Sequence, residues 1–133
     1  MSTRNLIALF DNENQKYLVS YCHWDGHPLD NGQELLSSYN DYDKAMELVK
    51  GGDMSSLGDY FGDGHDVVVI DDIMELIKHE IKENKKCPCI EYIYLFVEKT
   101  WLCWDWHWSP NMAVLTNVED VIREYKENVR GNE

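Results

Sequence analysis

Basic residues are scarce in this chain: its 133 residues include 12 Lys and Arg against 25 Asp and Glu, which gives a formal charge of −13. Because affinity for nucleic acid comes mainly from Lys and Arg that neutralise phosphates, the shortage argues against direct binding of nucleic acid. Docking on an anionic membrane surface is disfavoured for the same reason. No apolar run approaches the ~20 residues of a membrane span, and the first residues lack the pattern of a signal peptide. We therefore expect a cytoplasmic protein that makes no membrane contact.

The established catalytic motifs are also missing, so the sequence names no catalytic residue. It contains no Gly-x-x-x-x-Gly-Lys phosphate loop, no Gly-x-Ser-x-Gly elbow and no His-Glu-x-x-His pair. Cysteine is limited to Cys22, Cys87, Cys89 and Cys103, which we expect to be reduced thiols in a cytoplasmic protein. The Cys87-Pro88-Cys89 pair has the wrong spacing for the common zinc knuckles. No metal and no cofactor is therefore predicted.

Aromatic residues, by contrast, are abundant: the chain has five Trp, eight Tyr and three Phe. They supply enough apolar area for a packed core, and the length supports one domain over residues 1–133. Acidic residues are unevenly spread, since residues 41–72 hold nine Asp and Glu against two Lys. A charge of −7 therefore falls on one predicted helix and the loop that follows it.

Alternating apolar and aromatic residues predict two β-hairpins. The first joins strands at residues 5–10 and 16–24, and the second joins strands at residues 89–98 and 101–108. A short apolar run at residues 67–70 is either a further strand or the entry to the helix after it.

Apolar residues at helical spacing, together with N-capping residues, predict four helices. They cover residues 32–39, 41–50, 71–83 and 117–129. Residues 53–66 are rich in Gly and Asp and predict an irregular loop. Because strands and helices do not alternate strictly, the elements predict the α+β class: an antiparallel sheet of two β-hairpins with about four helices packed on one face.

The most distinctive stretch follows the second predicted strand and reads Tyr21-Cys22-His23-Trp24-Asp25-Gly26-His27-Pro28. Three functional interpretations remain open for it. In the weakest, His23 and His27 hold a metal together with Cys22 or Asp25. In another, His23 is a general base that Asp25 orients. In the third, the aromatic side chains of the segment stack on a base or a sugar.

A structural interpretation of the same segment is favoured over all three. In it, His23 and Asp25 bond to backbone groups of the turn, Gly26 supplies a positive φ, and Trp24 fills the core.

The six residues from His23 to Pro28 also match a His-Trp-Asp-Gly-x-Pro motif. With it the chain resembles a family of small bacteriophage and bacterial proteins, in which the motif precedes a Gly-x-x-Leu-Leu-x-x-Tyr helix, a Gly-Asp-x-Ser-x-Leu stretch and a late Trp-containing strand. Residues 32–39, 52–57 and 92–105 fit those segments, whereas His27 stands where the family usually has an aromatic residue. The resemblance implies a phage-type accessory protein in the cytoplasm of the host cell, and it implies no reaction.

A second cluster is the run of residues 101–108, which contains four of the five tryptophans. Alternate residues of a strand face opposite ways. One predicted face holds Trp104, Trp106 and Trp108, and the other holds Trp101, Cys103, Asp105 and His107. A row of Trp on one face is typical of a core, whereas outward aromatic residues indicate a partner or a homodimer seam. Asp105 and His107 would join His23 if the two hairpins were neighbours.

From these observations we favour a binding protein that engages a host or phage protein and modulates a host or defence factor. In one variant, the acidic residues 41–72 mimic nucleic acid in a basic groove of the target. The candidate ligand or partner site consists of His23, Trp24, Asp25, Gly26, His27, Trp101, Asp105 and His107. The alternative is a small enzyme, or a nucleotide- or small-ligand-binding protein, with a site built around His23-Trp24-Asp25. The third interpretation is a homo-oligomeric structural protein, for example a homodimer.

Overall fold

The chain folds around a mixed β-sheet in a computed structural model that describes residues 2–61 and 67–127. Within those ranges the sheet has eight strands: β1 (Arg4–Asp11), β2 (Lys16–Cys22), β3 (Met54–Ser56), β4 (Asp59–Tyr60), β5 (Val68–Ile70), β6 (Ile90–Val97), β7 (Thr100–Asp105) and β8 (Thr116–Asn117). The helices of the same ranges are α1 (Gln33–Ser38), α2 (Tyr42–Lys50), α3 (Ile73–Lys86) and α4 (Val118–Lys126), and a π-helical turn at Pro28–Gly32 leads into α1. None of these helices is long and apolar enough to cross a bilayer.

Both predicted hairpins are confirmed. β1 pairs antiparallel with β2, and β6 pairs antiparallel with β7. The turn of the second hairpin consists of Glu98 and Lys99, whose φ angles of 50° and 66° are both positive. A two-residue hairpin turn of type I′ requires positive φ at both central residues. The turn thereby sets the register in which Val97 faces Thr100.

The α+β class is correct, but the sheet is mixed, so the prediction of an antiparallel sheet is wrong. β1 runs parallel to β6, with Asn5 opposite Tyr92. The strand order is β4-β3-β2-β1-β6-β7-β8, and β5 also pairs with β2. Because β5 is antiparallel to β2, it runs in the same direction as β1 and β6. Helix α3 links β5 to β6 as the crossover that parallel strands need in place of a tight turn.

Helices cover both faces of the sheet, so the prediction that they pack on one face is wrong. On one face lie α1, α2 and α4, whose buried residues include Leu35, Leu48 and Val121. On the other face lies α3, where Ile77 packs with Trp104. The central strand β1 gives the physical reason, because its consecutive residues Ile7, Ala8 and Leu9 are all fully buried. A strand that is apolar on both sides needs a covering layer on each.

Two helices begin where their N-capping residues predict. The side chain of Asp41 accepts a hydrogen bond from the amide of Lys44, at 2.8 Å, and α2 begins at the next residue, Tyr42. The side chain of Asn117 accepts a hydrogen bond from the amide of Glu119, at 2.9 Å, and α4 begins at the next residue, Val118. Helix α3 differs from its predicted range, since its cap is Asp72 and it continues to Lys86.

The predicted loop at residues 53–66 contains two short strands, β3 and β4, which extend the sheet beyond β2. Residues 62–66 lie outside the described residues, as do residues 128–129 of the last predicted helix. The apolar run at residues 67–70 contains β5, which settles that it is a strand.

Candidate functional site

Residues 23–28 leave the end of β2 and cross to the π-helical turn, and their backbone groups are tied to three neighbouring segments. The amides of His23 and Trp24 donate to carbonyls of β3, at 3.0 and 2.8 Å. The amide of Gly26 donates to the carbonyl of Thr3, at 2.9 Å. The main chain of the motif therefore holds the start of β1 and the edge of the sheet together.

Gly26 is required because of close approach and not because of its φ angle. A Cβ atom there would lie 2.5 Å from the Thr3 carbonyl oxygen and 2.9 Å from Asn5 Nδ2. The Gly26 carbonyl accepts a hydrogen bond from the buried Tyr94 hydroxyl, at 2.6 Å. The positive φ of the segment belongs instead to Asp25, at 62°, which corrects the interpretation that Gly26 supplies it.

His23 and Trp24 form an aromatic pair at the surface. The His23 Nδ1 atom lies 2.7 Å from the Tyr21 hydroxyl, and its ring meets the Trp24 ring edge-on with centroids 4.6 Å apart. Trp24 is 41% exposed, so the interpretation that it fills the core is wrong. Asp25 lines a different depression, together with Asp30 and Asn31.

The histidine that reaches the second hairpin is His27 and not His23. Its ring lies 4.5 Å from the ring of Tyr125 in α4 and 5.9 Å from that of Tyr92 in β6. Its Nδ1 atom accepts a hydrogen bond from the Leu29 amide, at 3.0 Å, which caps the π-helical turn. Burial lowers the pKa of His27 below its usual value, although the charges of Asp30 and Asp105 oppose the shift.

Asp105 is a buried carboxylate that organises the end of β7. Its Oδ2 accepts a hydrogen bond from the Tyr125 hydroxyl, at 2.6 Å. Its Oδ1 accepts from the amides of His107, at 2.9 Å, and Trp108, at 3.2 Å. These bonds turn the chain, so β7 ends at Asp105 and the prediction of a strand to residue 108 is wrong.

His107 pairs with a residue that the sequence did not single out. Its Nε2 atom lies 2.6 Å from Oε1 of Glu91. Glu91 sits at a β-bulge, because Ile90 faces Arg4 whereas Tyr92 faces Asn5, which leaves Glu91 as the extra residue. A β-bulge changes the direction in which the side chain of the extra residue points, and here that side chain pairs with His107.

Trp101 belongs to the core and is fully buried. Its indole N–H donates to the carbonyl of Tyr39, at 3.0 Å, and its ring packs against Phe96. The structure thus brings together His27, Asp105 and His107, places His23 and Trp24 on the surface elsewhere, and puts Trp101 inside. Across residues 2–61 and 67–127, no group of three or more His, Cys, Asp or Glu could hold a metal ion.

Two depressions that share a lining residue form a concave surface that we name the acidic cleft. The first has a volume of about 370 Å³ and is lined by Asp25, Asp30, Asn31, Glu34, Tyr39, Ser56 and Leu57. The second has a volume of about 230 Å³ and is lined by Tyr39, Lys44, Glu47, Leu48, Gly58 and Tyr60. Tyr39 lines both, so the two depressions are neighbours.

The charged residues that line the acidic cleft are four carboxylates and one lysine. Asp25, Asp30, Glu34 and Glu47 are all exposed, and none of them takes part in the ion pairs found between described residues. The cation, Lys44, is already paired at 3.8 Å with a fifth carboxylate. Of these carboxylates, the sequence had indicated Asp25 as a candidate site residue and Glu47 as part of the acidic residues 41–72, and it had not indicated that the two would line one cleft.

Comparison of the chain with family models, with curated proteins and with solved structures gives no match. The resemblance to small bacteriophage and bacterial proteins therefore stays a prediction that rests on the sequence motif.

Proposed function

We propose that this protein acts by binding another protein, and that the acidic cleft receives a basic segment of that partner. The observation that carries the proposal is the charge of the cleft: four exposed carboxylates, none of them in an ion pair with another described residue, line two adjoining depressions. One of them, Glu34, accepts a hydrogen bond from the hydroxyl of Ser38. Concentrated charge of one sign in a concave surface raises the local concentration of ligands of opposite sign and speeds their association.

The walls of the cleft suit the side chains of Lys and Arg in particular. Tyr39 and Leu57 offer apolar surface beside the carboxylates of Asp30 and Glu34. Lys and Arg place their aliphatic stems along such surface while the charged group reaches an acid. An arginine also gains from contact with the face of an aromatic ring.

The surface suggested for mimicry of nucleic acid overlaps the cleft in part, since Glu47 is the one of the four cleft carboxylates that lies within residues 41–72. Helix α2 and strands β3 and β4 lie within residues 41–72, which carry nine acidic and two basic residues. A surface of this kind fits a groove that has evolved to hold phosphates. In this proposal the protein is a phage-type accessory protein, and its partner is a host or phage protein whose nucleic-acid-binding surface carries the basic segment.

The test is binding of a fluorescein-labelled peptide of Lys and Arg residues, measured by fluorescence anisotropy at two salt concentrations. Replacing three cleft carboxylates together, by Asp25→Asn, Asp30→Asn and Glu34→Gln, is expected to weaken binding about tenfold. Asparagine adopts the positive φ of position 25 with little strain, so the fold is retained.

The control removes the same amount of charge outside the cleft, through Glu13→Gln, Glu98→Gln and Glu127→Gln, all of which are exposed. Peptide affinity should change less than about twofold in this variant. Equal weakening by both triple variants would show that net charge alone attracts the peptide and would refute the cleft. Trp101→Ala is unsuitable as a binding probe because that side chain is fully buried.

A second candidate function, a small-ligand site, is favoured by the meeting of His27, Asp105, His107 and Glu91. The sequence-based alternative placed this site around His23-Trp24-Asp25. The ring that lies against Tyr125, the hydrogen-bond donor to Asp105, is that of His27, so the proposal uses His27 in place of His23. A neutral ligand with stacking surface, such as adenosine, is the appropriate probe for an acidic protein. In an NMR titration with adenosine, chemical-shift changes at residue 107 that are lost in His107→Asn would support the site. Unchanged spectra would exclude the site for this ligand class.

A further inference from the structure

The two depressions of the acidic cleft differ in the chemistry of their walls. Of the described residues, those that line the first depression include three carboxylates and a single aromatic ring. Those that line the second include one carboxylate, Glu47, one lysine, Lys44, and two aromatic rings, which belong to Tyr39 and Tyr60. Since the two charges of the second depression are opposite in sign, net charge explains the attraction of a cation to the first depression better than to the second.

The ring of Tyr60 has a fixed position at the C-terminal end of α2. Its hydroxyl donates a hydrogen bond to the carbonyl of Leu48, at 2.8 Å. Its ring lies over Gly51, where a Cβ atom would be 2.1 Å from two carbons of the ring. Because Tyr60 is still 38% exposed, a ring whose orientation is already set offers surface to a ligand.

Tyr39, which lines both depressions, is fixed as well. Its carbonyl accepts a hydrogen bond from the indole N–H of the buried Trp101, at 3.0 Å, which joins its backbone to the core. Its hydroxyl lies over Gly58, where a Cβ atom would be 3.0 Å from the oxygen. Burial raises the pKa of both tyrosines, and the charge of Glu47 contributes to both shifts. The carboxylate of Glu47 therefore acts on both rings.

Lysine and arginine differ in how well they suit a site of this kind. The guanidinium of arginine is planar, weakly hydrated and able to stack on an aromatic ring, whereas the ammonium of lysine is compact and strongly hydrated. A cation over the face of a tyrosine is attracted by the ring, and the attraction is larger when the cation has lost its water. Fixed aromatic walls beside one carboxylate therefore favour arginine, whereas a group of carboxylates accepts either cation.

We propose that the second depression selects arginine over lysine in the basic segment of the partner, with Tyr39 and Tyr60 as the specificity-determining residues. This inference rests on the proposed function, because it names the side chain that one half of the acidic cleft receives. The guanidinium lies against the Tyr60 ring and donates hydrogen bonds to the carboxylate of Glu47. The first depression receives either a lysine or an arginine of the same segment.

The experiment compares two fluorescein-labelled peptides of equal length and equal charge by fluorescence anisotropy. One peptide consists of lysines, and in the other a single central lysine is replaced by arginine. The peptide with arginine is expected to bind the unmodified chain about fivefold more tightly. Equal affinities would overturn the selection of arginine and leave the proposed function in place, whereas no binding of either peptide would refute both.

Variants at position 60 test whether the ring is responsible. Tyr60→Leu should reduce the preference for arginine to less than about twofold and leave the affinity for the lysine peptide nearly unchanged, which also shows that the cleft is intact. Tyr60→Phe keeps the ring and should keep the preference.

Phe61→Leu is the matched control, because Phe61 is the neighbouring aromatic residue, is 44% exposed and lines neither depression. It should retain the full preference for arginine. The proposal is overturned if Tyr60→Leu retains the preference, or if Phe61→Leu loses it to the same extent.

Discussion

Residues 23–28 are joined to distant parts of the fold through main-chain groups, whereas β7 adds bonds from buried side chains to the backbone ladders that it forms with β6 and β8. Gly26 bonds through its amide and its carbonyl, to Thr3 and to Tyr94, at 2.9 and 2.6 Å. Trp104 is fully buried, and its indole N–H donates to the carbonyls of Ser109 and Met112, at 3.1 and 3.0 Å. Tryptophan is thus a core residue in one region and a surface residue in the other.

The difference follows from the position of each region in the sheet. β7 has strands on both sides and helices on both faces, so its side chains are enclosed. Residues 23–28 lie at the end of a strand, where Trp24 is 41% exposed while the backbone still has to satisfy its polar groups. The residues of a motif at the end of a strand are therefore determined first by the backbone geometry that the segment has to adopt.

The largest effect that would test this comparison is that of Trp104→Ala. Loss of a fully buried tryptophan leaves a cavity and removes two hydrogen bonds. The free energy of unfolding is therefore expected to fall by about 3–5 kcal/mol relative to the unmodified chain. Urea unfolding followed by circular dichroism measures it. Trp24→Ala is the matched control and should cost less than about 1 kcal/mol. Similar losses at both positions would contradict the assignment of Trp24 to the surface.

A smaller effect is expected from Gly26→Ala. The added Cβ would lie 2.5 Å from the Thr3 carbonyl oxygen, and backbone cannot move aside as a flexible side chain can. The expected loss is about 1–3 kcal/mol, measured by the same urea unfolding. In contrast, Asp25→Gly should stay within about 1 kcal/mol of the unmodified chain, because glycine adopts a positive φ without steric cost. If Gly26→Ala proves neutral, the close approach of Thr3 does not constrain the segment.

Local signals predicted the parts of the fold that depend on neighbours in sequence. The strand patterns gave both hairpins, and single capping residues placed the starts of α2 and α4, at Asp41 and Asn117. In each case the contacts that decide the structure lie within a few residues of one another. The signal is therefore present in a short window of sequence.

Long-range pairing could not be obtained in this way. Nothing near Asn5 indicates that it faces Tyr92 across a parallel pair, and the apolar spacing of α3 shows that one side is buried without showing which face of the sheet covers it. The acidic cleft was missed for the same reason, since Glu34 and Ser56 line it from separate segments. The motif at residues 23–28 indicated where a site could be and did not indicate which side chains would meet there.

The smallest effect concerns His27, whose side chain meets both α4 and β6. Burial lowers its pKa in the folded chain below the usual 6.5, so the unfolded chain takes up the proton first as the pH falls. The contribution of neutral His27 to the free energy of unfolding is therefore at its full value above about pH 7. It is lost as the pH falls through 6.5 toward the lower pKa of the folded chain. His27→Asn should show a weaker dependence of unfolding free energy on pH between about 7 and 5.5, because asparagine can still cap the Leu29 amide and does not titrate. His79→Asn, at an exposed position of α3, should keep the full dependence. If His79→Asn, and not His27→Asn, removes the dependence of the unfolding free energy on pH, the titrating group lies outside residues 23–28. The contact of His27 with α4 and β6 would then not explain the pH dependence.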